Sequence, residues 1–280
     1  MHATESNKQS LPIDEISRFR SIIWEFYRNN QRLFPWRYNE DPYHIVVSEI
    51  MLQQTQTYRV EPKFETFITR FPTWQDLASA SWPEVLTAWQ GLGYNSRAKR
   101  LHDIAKRIVE EHKGIVPQDP DILVTFPGIG PNTAGSICAF AFNKPTVFAE
   151  TNIRAVFIYH FFPGQDKVHD TYLLPLIQAT LDTTDPRSWY YALMDYGVWL
   201  KKQTVNPTRR SAHYTKQSKF KGSDREIRSM ILKKLLAHNS LTEFELTDSI
   251  DREPERIKKI IQDLCNEHLI QCKDGKFYLA

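Results

Sequence analysis

Apolar residues return at helical spacing through most of this chain, and strand-like alternation is rare before residue 268. That property confines the first 220 residues to an all-α architecture. Residues 13–28 set the pattern: Ile13, Ile16, Phe19, Ile23 and Phe26 recur at helical spacing, with acidic residues early and Arg28 late. After a Phe34-Pro35-Trp36-Arg37 loop, Asp41-Pro42 supplies an N-cap and a proline at the first helical position. Helices are expected over 43–54, 57–70, 83–90 and 96–112, punctuated by Phe71-Pro72, Trp82-Pro83 and Gly91-Leu92-Gly93.

The last 55 or so residues change character. Asp224 to His238 predicts an amphipathic helix with Ile227, Ile231 and Leu235 on one face, and Leu241 to Ile250 predicts a second. A third spans Glu253 to His268, with Ile257, Ile260, Ile261 and Leu264 inward. Leu269 to Cys272 and Lys276 to Leu279 then flank Lys273-Asp274-Gly275 as a hairpin. Three helices followed by a hairpin is a winged-helix layout, which serves DNA or protein contact.

Composition excludes several classes. At 41% hydrophobic and 12% aromatic, the chain has material for a core and is not a disordered one. Its three cysteines, Cys138, Cys265 and Cys272, have no C-x-x-C spacing, which excludes a disulfide scaffold and any site needing four cysteine ligands. No apolar run approaches the roughly 20 residues of a membrane helix. Met1 to Ser10 lacks a signal-peptide core, so a cytoplasmic protein without a membrane partner is expected. The net charge is only +3, yet Lys201 to Gly222 holds seven basic residues and no acidic one: Lys201, Lys202, Arg209, Arg210, Lys216, Lys219 and Lys221. With His213, Tyr214 and Phe220 interleaved, this irregular stretch suits a phosphate backbone, or serves as a solvated linker.

The sharpest local signal is Phe126-Pro-Gly-Ile-Gly-Pro-Asn-Thr-Ala-Gly135, ahead of a helix-forming run from Thr133 to Phe142. Glycines two apart turn tightly between helices and present backbone N–H groups at a helix N-terminus, where an anion is stabilised. This is the helix-hairpin-helix pattern. Two isolated acids accompany it. Glu49 is the only formal charge between Asp41 and Arg59, amid apolar neighbours, where burial should raise its pKa. Glu150 is the only charge between Lys144 and Arg154 and starts the next helical run, where a helix dipole favours the ionised form. Environments that push two carboxyl pKa values apart suit an acid and an anionic stabiliser.

Together, Ser48 to Gln56, Gly91-Leu-Gly-Tyr94, the hairpin at 126–135 and Glu150-Thr-Asn152 resemble the adenine DNA glycosylases of the MutY family, helix-hairpin-helix base-excision enzymes. The similarity covers roughly residues 15–202, including Leu33-Phe-Pro-Trp-Arg37 and Ala192-Leu-Met-Asp-Tyr196. It implies a mainly α, two-lobed glycosylase domain over 12–222, and the three helices and hairpin read above are expected to form a winged-helix-like domain over 223–280 beyond it. The six-helix lobe would span about 33–145, and the second lobe would join 12–32 to 146–222. It also implies a monomer acting on double-stranded DNA with a mismatched or damaged base. Glu49 would protonate the departing purine and help manage the attacking water, while Glu150, with Asn152 in the same motif, would stabilise the positive sugar. Gln53, Gln54 and Tyr94 would fill or wedge the stack during base flipping. Amides near Gly128 and Gly130, with Asn132 and Thr133, would hold a backbone phosphate, and a monovalent cation fits that backbone.

Four departures qualify the resemblance. Glu150 stands where the family has aspartate, and about 1 Å of displacement costs on the order of 10²-fold in rate unless the pocket shifts to match. Asn132 stands where bifunctional members carry lysine, so no Schiff base forms and a monofunctional enzyme is expected. The four-cysteine iron–sulfur segment is replaced by the basic loop, where Arg209, Arg210, His213 and Tyr214 are expected to pack directly while Lys216, Lys219 and Lys221 face DNA. The winged helix stands in place of the domain that reads 8-oxoguanine. The expected activity is removal of adenine opposite 8-oxoguanine or guanine, without an iron–sulfur cofactor. A thymine or uracil mismatch glycosylase and a non-catalytic DNA-binding protein are the alternatives.

Overall fold

The structure, a computed structural model, describes residues 11–280; the expectation concerning Met1 to Ser10 lies outside the described residues. In chain order the first helices are α1 (Ile13–Asn30), α2 (Pro42–Leu52), α3 (Thr57–Arg70), α4 (Trp74–Ser79), α5 (Trp82–Trp89), α6 (Ser96–His112) and α7 (Pro120–Leu123). They are followed by α8 (Pro131–Phe142), α9 (Thr151–Phe161), α10 (Asp170–Thr180) and α11 (Pro186–Gln203). The C-terminal elements are α12 (Asp224–His238), β1 (Ser240–Thr242), α13 (Glu243–Asp248), α14 (Pro254–Asn266), β2 (Ile270–Lys273) and β3 (Lys276–Leu279). The chain divides into two compact units. One combines residues up to Glu40 with Gln118–Leu123 and Ile129–Thr215; the other combines Asp41–Pro117, Val124–Gly128 and Lys216–Ala280.

In the first unit, the apolar face of α1 drives its burial: the Phe19 ring lies 5.3 Å from Phe157 of α9 and 6.1 Å from Trp189 of α11. The chain then turns through Pro35–Arg37, a short 3-10 helix capped by the extended Phe34, where the sequence predicts a loop. Its purpose is visible in Asp195 of α11. That carboxylate accepts from Arg32 Nε at 2.6 Å and from Arg37 Nη1 and Nη2 at 2.8 and 2.9 Å. The Asp195 side chain is 1% exposed and that of Arg37 5%, and Arg37 also stacks 4.4 Å from the Tyr191 ring. Helices α9 and α11 approach closely because position 197 is glycine. A Cβ there would stand 2.5 Å from the Asn152 carbonyl oxygen.

In the second unit, α2 is buried on almost every side, through Tyr43, Ile45, Val46, Val47, Ser48, Ile50 and Met51. Asp41 caps it, accepting from the Tyr43 amide at 2.9 Å, as the Asp-Pro pair predicts. Helix α4 was not expected; Thr73 and Asp76 nucleate it through a reciprocal capping box. The C-terminal helices lead into a three-stranded antiparallel sheet of order β1-β3-β2, in which Phe277 pairs with both Leu241 and Cys272. Strand β1 and the short α13 replace the single helix predicted over 241–250. Thr242 Oγ1 accepts the Glu245 amide while the Thr242 N–H and hydroxyl donate to the Glu245 carboxylate, which starts the helix at Glu243. This segment is anchored by Trp82, whose indole N–H donates to the buried Leu269 carbonyl at 2.9 Å. Among the described residues no helix is long and apolar enough to cross a membrane.

Candidate active site

The acidic candidates occupy different units, Glu49 on α2 and Glu150 at the N-terminus of α9. Glu49 is half-buried between the fully covered Ser48 and Ile50. The C-terminus of its helix is held by a residue that pattern reading missed. Arg97 of α6 is only 4% exposed, and its Nη1 donates to the carbonyls of Ile50, Met51 and Gln53 at 2.9, 2.7 and 2.6 Å. Its Nη2 reaches Thr55 Oγ1 at 2.9 Å and the Gly93 carbonyl at 3.0 Å. One guanidinium thus satisfies the open carbonyls of α2 and ties them to the Gly91–Tyr94 turn. Burial pulls its pKa down to about 10, which still leaves it charged at neutral pH.

The residues expected to enter the DNA stack lie around this knot. Gln53 Nε2 donates to the Gly128 carbonyl at 3.2 Å, so the chain after α2 meets the hairpin glycine. Gln54 and Tyr94 are both held at positive φ, 56° and 48°, a conformation that costs side-chain-bearing residues on the order of 1–3 kcal/mol. Tyr94 lies beneath Arg225, whose carbon centre is 4.9 Å from its ring, and its hydroxyl accepts from Arg225 Nη1 at 2.8 Å and from Gln217.

The hairpin follows the glycine logic at one position. Gly128 has φ +78°, and a Cβ there would meet Arg100 Cδ at 2.6 Å, whereas Gly130 sits in extended backbone as the N-cap of α8 with open space beside it. Before the hairpin, α7 is a single turn of four residues. Asn132 does not merely stand in for a lysine. Its Oδ1 accepts the Ala149 amide at 3.0 Å, fixing the backbone immediately before Glu150. Thr133 is half-buried in the first turn of α8, and its carbonyl accepts from the Ser136 hydroxyl at 3.0 Å.

Glu150 is built in tightly. Its Oε1 accepts the Asn152 and Ile153 amides at 2.6 and 2.9 Å, and its Oε2 accepts from Asn152 Nδ2 at 3.1 Å. The Asn152 Oδ1 is buried and finds no donor among the described residues. Contrary to the helix-dipole expectation, the Glu150 pKa is raised: desolvation outweighs the amide bonds and the favourable charges of Lys201 and Arg154. Lys201 is a second correction. It belongs to the last turn of α11, with Lys202, instead of an irregular loop, and burial lowers its pKa while Glu150 opposes that fall.

Further along, Arg210 is spent on structure. Its guanidinium donates to the carbonyls of Ile158 and Gln165, each at 3.3 Å, and of Phe162, so it satisfies the end of α9. His213 stands 3.9 Å from Asp170, Arg209 and Tyr214 are exposed, and so are Lys216, Lys219 and Lys221. The stretch after Asp195 contains no cysteine before Cys265 and therefore does not fit a four-cysteine cluster. Cys138 is buried within α8.

Residues 47–173, which contain Glu49, the hairpin and Glu150, match the family model described as HhH-GPD superfamily base excision DNA repair protein. The adenine DNA glycosylase of Mycolicibacterium smegmatis is 34% identical over 285 residues, covering 95% of this chain and 96% of that protein. Such coverage takes in most of the segment beyond residue 223. The adenine DNA glycosylase of Mycobacterium tuberculosis (strain H37Rv) is 42% identical over 142 residues, 50% of this chain and 46% of that protein. Among solved structures, a thermostable thymine-DNA glycosylase superimposes with a TM-score of 0.60 at 24% identity, over 66% of this chain and 86% of that one. A trapped endonuclease III–DNA covalent intermediate gives 0.58 at 16% identity, over 68% and 87%. These two likenesses establish the helical fold. The chain belongs to the adenine DNA glycosylases, within the HhH-GPD superfamily of base excision DNA repair proteins.

Proposed function

We propose that this protein hydrolyses the N-glycosidic bond of adenine mispaired with 8-oxoguanine or guanine in double-stranded DNA, leaving the strand uncut. The observation that carries the chemistry is the Glu150 carboxyl, fixed by two amides and Asn152 within a chain 34% identical to an adenine DNA glycosylase over 95% of its length. In this reading Glu49 donates a proton to the purine, so the C1′–N9 bond breaks with its electron pair passing to the base. Positive charge then develops on the sugar, and the ionised Glu150 stabilises it. Burial disfavours that ionised form in the free protein, but a cationic sugar beside it reverses the preference. Water adds at C1′ and gives its proton to Glu49, releasing adenine and an abasic site. Asn152 Oδ1, with an open acceptor position, supports a role in orienting that water.

Strand cleavage by an amine is not part of this reading. Asn132 is an amide whose oxygen is already engaged with Ala149, and an amide cannot form a Schiff base. Residues such as Gly128, Gly130 and Thr133 remain assigned to a backbone phosphate, and Lys216, Lys219 and Lys221 to the flanking duplex.

Labelled duplexes carrying one A:8-oxoG, A:G, T:G or U:G pair test the reading. Breaks on the adenine duplexes that appear only after alkali are the expected result. Breaks without alkali, or only on the pyrimidine duplexes, would overturn it. Glu49→Gln should lower single-turnover excision by about 10²–10⁴-fold while duplex affinity holds.

A further inference from the structure

Helix α11 carries Gly197 and Lys201 one turn apart, so the two share a face. Gly197 is where that face closes on α9, since a Cβ there would stand 2.5 Å from the Asn152 carbonyl oxygen. Lys201 is thereby brought to the start of α9, where Glu150 caps the helix two residues before Asn152. Each charge sits at the helix end that favours it, the carboxylate at an N-terminus and the ammonium in a last turn.

A lysine usually keeps its ammonium in water. Lys201 is half-buried, and among the described residues its side chain makes no hydrogen bond or ion pair. The other cations nearby are already engaged. Arg154, also on α9, is bonded to Asp170 of α10 at 2.8 and 2.7 Å. Arg32, from the segment after α1, is bonded to Asp195 at 2.6 Å. At the far end of α9, Arg210 is spent on backbone carbonyls.

The Lys201 charge reaches Glu150 all the same. Burial raises the Glu150 pKa, and what opposes burial is first the Ile153 amide, then Lys201, ahead of the Asn152 amide and Arg154. Burial lowers the Lys201 pKa, and Glu150 opposes that fall in turn. An attraction through space favours the charged carboxylate without occupying it. Glu150 Oε2, which accepts one hydrogen bond from Asn152 Nδ2 at 3.1 Å, keeps room to face a cationic sugar.

We propose that Lys201 is a positioning residue for the reaction: its uncommitted ammonium keeps the Glu150 carboxylate charged from beyond hydrogen-bonding distance, and so fixes the lowest pH at which the enzyme works. The first half concerns the free protein; only the second rests on the function proposed above.

Two readouts in the full chain test it. Thermal unfolding of the parent and of Glu150→Gln is compared from about pH 4 to 8. Their difference opens as pH rises and levels off where Glu150 is fully charged in the folded chain. In a Lys201→Met background that levelling should move up by about one pH unit, and Lys201→Arg should restore it. Single-turnover excision on an A:8-oxoG duplex should show the same movement of its acid limb, with Lys201→Met about tenfold slower below the limb and Lys201→Arg close to the parent. Should Lys201→Met fail to fold, Lys201→Gln carries the same comparison. An unmoved levelling point in the folded variants would overturn the proposal. So would a rate lost equally at every pH, the mark of a merely structural residue. A levelling point that moves while the acid limb stays would uphold the hold of Lys201 on Glu150 and overturn the part given to Glu150 in excision.

Discussion

Glu150, the proposed stabiliser of the cationic sugar, is also a structural cap. As N-cap of α9 it satisfies two amides that a helix start leaves open, yet its surroundings disfavour the charge that makes it a good cap. The linkage has a definite sign. A carboxyl whose folded pKa lies above its unfolded value withdraws stability as pH rises through that interval. Glu150→Gln, which keeps an acceptor for the amides, should therefore unfold at a higher temperature than the parent at pH 8. The difference should close as pH falls toward the ordinary carboxylate range. A stability difference independent of pH between 4 and 8 would contradict the burial of an ionisable Glu150. The isolation of Glu150 was legible in the sequence, because the nearest charges are Lys144 and Arg154. Its desolvation was not, since that comes from the fold around it, with Gly197 letting α11 close against Asn152.

At the scale of elements, two arginines decide where helices end and meet. Arg37 and Asp195 explain why Leu33 to Arg37 and Ala192 to Tyr196 matter together: one supplies the guanidinium fork and the other the buried carboxylate. Such a pair adds little over an apolar replacement, but breaking it strands a charge. Asp195→Ala should lower unfolding free energy by about 3–5 kcal/mol, measured by denaturant titration, whereas loss below about 1 kcal/mol would mean the arginines are solvated. Arg97 acts on α2 in the same way, and Arg97→Ala should cost about 3 kcal/mol by exposing three carbonyls without donors. Single-turnover excision should fall in parallel, because Glu49 and Gln53 ride on that helix end; full excision by a destabilised variant would separate the two effects. Periodicity found most helices, because long amphipathic segments advertise one buried face. It named no helix at α4, α7, α10 or α11 and no strand at β1; α4, α7 and β1, of six, four and three residues, are too short for a period to register, although the Thr73-Asp76 spacing marked the cap of α4 and Thr242-Glu245 that of α13. Arg97 was invisible for another reason: on a helix rich in Lys and Arg, nothing local distinguishes the one that turns inward.

For the whole molecule, the uneven charge along the sequence resolves into different uses. Arg210 secures α9 and Lys201 acts on Glu150, while Lys216, Lys219 and Lys221 stay in solvent. Replacing those three lysines with glutamine should weaken binding to every duplex alike and reduce the salt slope by up to about three, leaving single-turnover excision at saturating DNA within about twofold. An unchanged slope would place them away from phosphate. The charges of α14, by contrast, are partly neutralised by acids, Lys258 by Glu255 at 2.9 Å in the same helix and Arg256 by Asp224 of α12 at 2.7 Å.

The Asp195 ion pair also sets a timetable for synthesis. Arg37 emerges from the ribosome 158 residues before its partner, and at roughly 5–20 residues per second that is a wait of about 8–30 s. The first unit cannot close over its N-terminal helix until α11 has been made, so the middle of the chain, Asp41–Pro117, has the first opportunity to fold. A ribosome stalled shortly after residue 195 would therefore carry a chain whose protease resistance extends through Asp41–Pro117 but leaves α1 open to cutting.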